Sequence, residues 1–147
     1  KSMMRYLLIL FVLFSFECKA QYYIMAAPNV AFDTKLQDTK NLLGGTIEVG
    51  KYFGDTAIGI NSGWWTFDKK DFYQEVMATF PIYERFSVSA AIGYFYSHKD
   101  ITMEYDFNYT VPMTNDYSFV LSYGAQSAFG DTFGAYSIGI NKDFKLK

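Results

Sequence analysis

The chain of 147 residues carries 13 Lys and Arg against 15 Asp and Glu, with one His, one Cys, half its residues hydrophobic and 20% aromatic. No basic run is present to neutralise phosphates, which argues against nucleic acid as a partner, and one cysteine cannot build a disulfide framework. A mean hydropathy of -0.01 at this apolar content requires apolar and polar residues to be finely interleaved.

Residues 1–20 differ from the rest. Lys1 and Arg5 give a positive start, Tyr6 to Phe16 is almost purely apolar, and Cys18-Lys19-Ala20 puts small residues at the two positions a signal peptidase reads. Glu17 and Lys19 end the apolar run before the roughly 20 residues that a membrane helix needs. That shortness argues against an uncleaved anchor. A lipoprotein is disfavoured because Glu17 precedes the cysteine, where a small residue is required. Residues 1–20 are therefore predicted to be a signal peptide, and 21–147 one exported domain. Cleavage leaves 10 of the 13 basic and 14 of the 15 acidic residues, with no thiol.

From there the chain alternates with a period of two, the mark of strands with one apolar and one polar face. Ile24, Ala26, Val30 and Phe32 oppose Met25, Ala27 and Asn29, with Pro28 expected to need a bulge or an edge. Leu43, Ile47 and Val49 oppose Gly44, Thr46, Glu48 and Gly50. Gly54-Asp55 then suits a two-residue turn that pairs Val49 with Ile60. Ile58, Ile60 and Trp64 oppose Gly59, Asn61 and Gly63, and Val76, Ala78 and Phe80 oppose Glu75, Met77 and Thr79.

Pro81 to Arg85 reads as a five-residue loop pairing Phe80 with Phe86. In the fifth segment Phe86, Val88, Ala90, Ile92, Tyr94 and Tyr96 oppose Ser87, Ser89, Ala91, Gly93, Phe95 and Ser97. His98-Lys99 as a turn pairs Tyr96 with Ile101, and a four-residue loop fits as well. Ile101, Met103, Tyr105, Phe107, Tyr109 and Val111 alternate with Thr102, Glu104, Asp106, Asn108 and Thr110, a span long enough to cross a bilayer when tilted. Pro112 to Asp116 is expected to pair Val111 with Tyr117, and with Pro81 to Arg85 it forms a weak internal repeat. Tyr117, Phe119, Leu121 and Tyr123 oppose Ser118, Ser122 and Gly124. Gly130-Asp131 is expected to pair Tyr123 with Ile138 and Leu121 with Ile140. Tyr136, Ile138 and Ile140 oppose Ala135, Ser137, Gly139 and Asn141.

The polar face decides where such a sheet belongs. It holds Gly, Ser, Ala, Thr and Asn with a few carboxylates, where a soluble barrel would present Lys, Glu and Arg to water. Small polar residues suit a crowded lumen. Lys35, Lys40, Lys69, Lys70, Lys99, Lys142, Lys145 and Lys147 collect at turns and termini. Phe32, Phe53, Trp64, Phe80, Phe86, Tyr96, Tyr117 and Phe144 fall near strand ends, as in interfacial girdles. The predicted fold is all-β: an eight-stranded antiparallel up-and-down transmembrane β-barrel. The competing reading, a soluble periplasmic β protein, would leave sheet edges that nothing protects.

On this architecture the chain resembles the small bacterial outer-membrane β-barrel superfamily, which includes the opacity proteins, the OmpA membrane domain and OmpX-like proteins. Ser137-Ile138-Gly139 and Phe144 match the polar-x-Gly pattern and closing aromatic of the last strand in such proteins. Lys142 departs from it, and Lys145-Leu146-Lys147 overruns the end. The resemblance implies the bacterial outer membrane, contact with outer-membrane lipid and lipopolysaccharide, insertion by the barrel-assembly machinery, and a monomer in preference to an oligomer. It also puts the outward loops at Asp33 to Leu42, Lys69 to Asp71, His98-Lys99 and Gly130-Asp131, all too short for a large adhesive surface.

No catalytic, cofactor or metal residue stands out. His98 is the sole histidine, which excludes a multi-histidine metal site. With Ser97 and Glu104 it superficially resembles the triad of outer-membrane lipid A deacylases. The alternation turns Ser97 and Glu104 into the lumen, however, whereas those enzymes act on the lipid-facing surface. Glu48, Glu75, Glu104 and Asp106 share lumen parity and form the candidate polar cluster. They are read as a hydrogen-bonded plug, and alternatively as the lining of a narrow cation passage, with Lys99 or Arg85 able to reach in from the rims. The expected function is non-enzymatic, with a structural, envelope or minor surface-interaction role. A narrow cation-leaning channel is the first alternative, and a lipid-modifying enzyme the second.

Overall fold

A computed structural model describes residues 21–32, 42–66, 70–97, 99–128 and 130–145. The expected signal peptide, most of the first outward loop and His98 lie outside the described residues. Eight strands follow one another: β1 (Gln21–Phe32), β2 (Leu42–Phe53), β3 (Thr56–Thr66), β4 (Lys70–Tyr83), β5 (Phe86–Phe95), β6 (Asp100–Pro112), β7 (Tyr117–Ala128) and β8 (Asp131–Lys145). Each pairs antiparallel with its neighbour in sequence, and β8 returns to β1 with Gln21 opposite Lys145, so the barrel is closed. Closure removes the open edges that would otherwise invite pairing with other chains.

The alternation holds all the way round. Outward positions expose large apolar side chains such as Leu43, Ile47, Val76, Ile92, Ile101, Tyr105 and Ile138, while inward positions such as Asn29, Glu48, Asn61, Glu75 and Asn108 are buried. A water-soluble barrel inverts this distribution. An apolar exterior around a polar interior is the arrangement of a barrel whose solvent is lipid.

The turns show where pattern and register part company. Gly54-Asp55 forms the expected two-residue turn, with Gly54 at φ 64° and Val49 opposite Ile60. Three other hairpins are shifted by two residues from the expected pairing. Phe80 meets Val88 rather than Phe86, because β4 runs on through Pro81 to Tyr83, with an irregularity between them, and turns at Glu84-Arg85. Val111 meets Phe119 rather than Tyr117, leaving Met113 to Asp116 as the loop, so the two proline-led segments do not form equivalent turns. Tyr123 meets Tyr136 and Leu121 meets Ile138, because the chain turns one residue earlier than expected, with Gly130 at φ 71°. Between β5 and β6 the four-residue alternative holds, with Phe95 opposite Asp100 and Tyr94 opposite Ile101.

Pro28 needs no bulge. The β1–β8 pairing is interrupted between Ala26–Ile140 and Asn29–Ser137 and resumes in the same register, which localises the effect of the missing N–H to that ladder. Among the described side chains, two lysines lie on the outward face of strands, and Lys51 is covered there to 2% exposure. Lys51 of β2 places its Nζ over the rings of Tyr22 and Phe53, and Lys142 of β8 over those of Tyr117 and Phe144. The aromatic clamp explains how Lys142 occupies a place where an apolar residue is usual.

Candidate functional site

The lumen is built in layers. β1, β3 and β5 end, and β4 and β8 begin, at the loop end of the barrel, where they bring together Ala31, Trp65, Tyr73, Phe95 and Phe133, all 0–1% exposed. Trp65 meets Phe133 edge-on at 5.6 Å between ring centres, and Tyr73 packs on Phe95 at 5.0 Å. This aromatic layer fills the lumen at that end. Its four aromatic members are inward-facing exceptions to the rule of small residues, and of these only Phe95 is placed on the inner face by the sequence.

Beneath it lies a hydrogen-bonded layer centred on Glu75. The Trp65 indole N–H donates to Gln126 Oε1 at 2.8 Å, and Gln126 Nε2 donates to Glu75 Oε1 at 3.1 Å. Thr102 Oγ1 donates to the same oxygen at 2.9 Å, and Asn61 Nδ2 reaches Glu75 Oε2 at 3.4 Å. Five side chains from β3, β4, β6 and β7 thus converge across the barrel. A buried carboxylate is tolerable when several donors replace its water.

The other three predicted cluster residues are nearby with different surroundings. Glu48 accepts a hydrogen bond from the Tyr23 hydroxyl. Glu104 lies within electrostatic range of both Asp106 and Glu75, and its Oε2 is buried without a hydrogen-bond partner. Asp106 faces Ser89 across the β5–β6 ladder. The barrel therefore brings Glu48, Glu75, Glu104 and Asp106 together, but only Glu75 is a hub of the network. Gln126, Trp65 and Tyr73 were missed. Their lumen parity was the available signal, since Trp65 directly follows outward Trp64, and Tyr73 is two residues from Glu75.

Towards the terminal end the lumen opens into a cavity of about 310 Å³. Trp65 forms its roof, Glu48, Glu104, Asp106 and Asn108 line its wall, and Arg85 and Asp143 stand towards the mouth. Asp143 accepts from Asn141 Nδ2 at 2.9 Å and from the Tyr52 hydroxyl at 3.2 Å. Of the rim cations Lys99 and Arg85, Arg85 lines this cavity.

Ser97 and Glu104 do not form the constellation of a lipid A deacylase. Ser97 does not face the lumen; it sits exposed in the loop after β5, because that strand ends at Phe95, whereas Glu104 is inside the barrel. The two do not share a surface. Among the described residues no group of three or more His, Cys, Asp or Glu side chains converges to hold a metal ion.

No protein-family model matches the chain, and no curated protein matches it in sequence. Solved structures do. The N-terminal β-barrel domain of Pseudomonas aeruginosa OprF superposes with a TM-score of 0.63 at 14% identity, covering 84% of this chain and 97% of that one. Neisserial surface protein A gives 0.60 at 12% identity, covering 86% and 98%. The attachment invasion locus protein Ail of Yersinia pestis, in complex with the heparin analogue sucrose octasulfate, gives 0.57 at 15%, covering 86% and 100%. These likenesses establish the fold. Together with the apolar exterior, they give the chain the fold of a small eight-stranded membrane β-barrel.

Proposed function

We propose that the protein is a non-enzymatic, structural component of the bacterial outer membrane whose barrel is sealed, with no continuous passage through it. One observation carries this reading: the Trp65–Gln126–Glu75 chain, with Thr102 and Asn61, spans the lumen beneath a fully buried aromatic layer. Eight strands enclose little more than their own side chains, and here those side chains are bonded to one another. Short turns join β2 to β3 and β4 to β5 at the end that carries both barrel termini, which matches the periplasmic side of such barrels. The sealed layer then faces outward and the cavity faces the periplasm.

A narrow cation-leaning channel is the alternative that the carboxylates favour. Single-channel recording of the reconstituted protein in planar bilayers separates the two. The sealed reading expects no steady current, and a steady cation-selective current that falls in Glu104→Gln refutes it. Lipid modification draws no support from the geometry, since Ser97 and Glu104 do not share a surface.

A further inference from the structure

The cavity on the terminal side of the seal has an unusual polarity. Four buried side-chain atoms among the described residues lack a hydrogen-bond partner: Asn29 Oδ1, Asn61 Oδ1, Asn141 Oδ1 and Glu104 Oε2. All four residues line this one cavity, and all four atoms are oxygens, of which the three amide oxygens can only accept. The three asparagines are more than nine-tenths buried. Two of them cannot relieve the shortage by turning their amides over. Asn61 already donates its Nδ2 to Glu75 and Asn141 donates its Nδ2 to Asp143, so a flip would set an oxygen against a carboxylate.

The acidic composition of the walls has the same sense. Glu48, Glu104, Asp106 and Asp143 line the cavity, and Arg85, towards the mouth, is the one basic lining residue. A site with surplus acceptors and several carboxyl groups selects a ligand that brings N–H donors and positive charge, against which the carboxyls can ionise. A bare divalent metal fits poorly, because it needs several anionic oxygens within one coordination sphere and no group of three His, Cys, Asp or Glu side chains is placed to hold a metal ion among the described residues. Here the acceptors are distributed along the cavity, from Asn61 near the Glu75 layer to Asn141 next to Asp143 towards the mouth. Several separated donors on one flexible molecule match that distribution, and a volume of about 310 Å³ lies in the range of small-molecule sites.

We infer that the cavity is a binding site for a small organic polyammonium compound, entering from the terminal, periplasmic side and stopping beneath Trp65. The inference goes beyond the structural role and requires of it only the sealed outer half. Conductance tests the seal and ligand titration tests the site, so each can fail without the other.

The test is calorimetric titration of the protein reconstituted in phosphatidylcholine vesicles, whose lipids carry no net charge to attract the probe. Spermidine is the probe, with magnesium chloride at matched ionic strength beside it. The expected result is saturable binding of one spermidine per barrel and no saturable heat with magnesium. Glu104→Gln and Asp106→Asn, each checked for folding by heat-dependent gel mobility, are expected to weaken binding by about tenfold or more, since each replaces a charge-assisted contact by a neutral one. Absence of saturable spermidine binding to the wild-type barrel overturns the inference, whatever the variants do. Equal affinity for magnesium overturns the polyammonium assignment. Unchanged spermidine affinity in either folded variant overturns the location.

Discussion

Replacing Gln126 by Met removes the middle link of the seal while nearly keeping its volume. Gln126 is 1% exposed and does two things at once: its Oε1 accepts from the Trp65 indole at 2.8 Å and its Nε2 donates to Glu75 at 3.1 Å. Stripping a buried donor of its acceptor costs about 1–3 kcal/mol, and losing a hydrogen bond to a charged group about 1.5–3 kcal/mol. Thr102 and Asn61 still hold Glu75, so the two losses combine to about 3–5 kcal/mol rather than a collapse of the whole layer. Equilibrium unfolding in urea from lipid vesicles, followed by tryptophan fluorescence, measures this directly because Trp65 sits inside the perturbed layer. Ser127→Ala on the same strand is the control: its hydroxyl pairs with Thr132 at an exposed position, and its removal is expected to change stability by no more than about 0.5 kcal/mol. A loss below about 1 kcal/mol for Gln126→Met would show that the layer is a geometric coincidence without cohesive value.

Tyr105 is 60% exposed on the outward face near the middle of β6, so Tyr105→Arg is expected to destabilise by about 2–4 kcal/mol in lipid. Asn108→Arg, which places the same guanidinium in the acidic cavity, is expected to cost much less, and equal losses in vesicle refolding would contradict the assigned faces. At Gly93 a Cβ would stand 1.9 Å from Gln74 O and 2.6 Å from Glu75 Cα, both backbone atoms that cannot swing aside. Gly93→Ala is therefore expected to cost about 1–3 kcal/mol by overpacking, read as a lower urea midpoint, and an unchanged midpoint would show that the β4–β5 approach is looser than described.

Which face the residues within strands occupy was legible in the sequence, because one side of every strand meets lipid and a one-residue slip would expose a row of polar groups, whereas Ser97 was misplaced because β5 ends before it. Register was not. Moving Phe80 from Phe86 to Val88, or Tyr123 from Ile138 to Tyr136, leaves every side chain on its own face, so the apolar pattern is blind to a slip of two. Glu84 illustrates the difficulty: it takes a φ of 43° in a two-residue turn, a conformation that its residue type does not announce. The four lumen carboxylates were legible by parity, but their inequality was not. Glu75 became the hub because Gln126, Thr102 and Asn61 arrive from three other strands, and such convergence is a property of register and barrel shear. The inward aromatics Trp65, Tyr73 and Phe133 were overlooked because aromatic content was credited to the lipid face as a whole.

The seam between β1 and β8 has a bearing on how the barrel comes into being. Every other ladder joins strands that are consecutive in the chain, whereas this one joins Tyr22 to Phe144. It carries the largest loop-closure entropy, and its hydrogen bonds form only after almost the whole chain has been positioned. The interruption at Ala27 and Pro28 falls in the middle of that same ladder, so the most distant pairing is also thinned at its centre. Seven ladders can grow from their own turns as a curved open sheet, and the eighth must zip from both ends towards a proline. The seam is thus the last part of the cylinder to close and the first along which it parts.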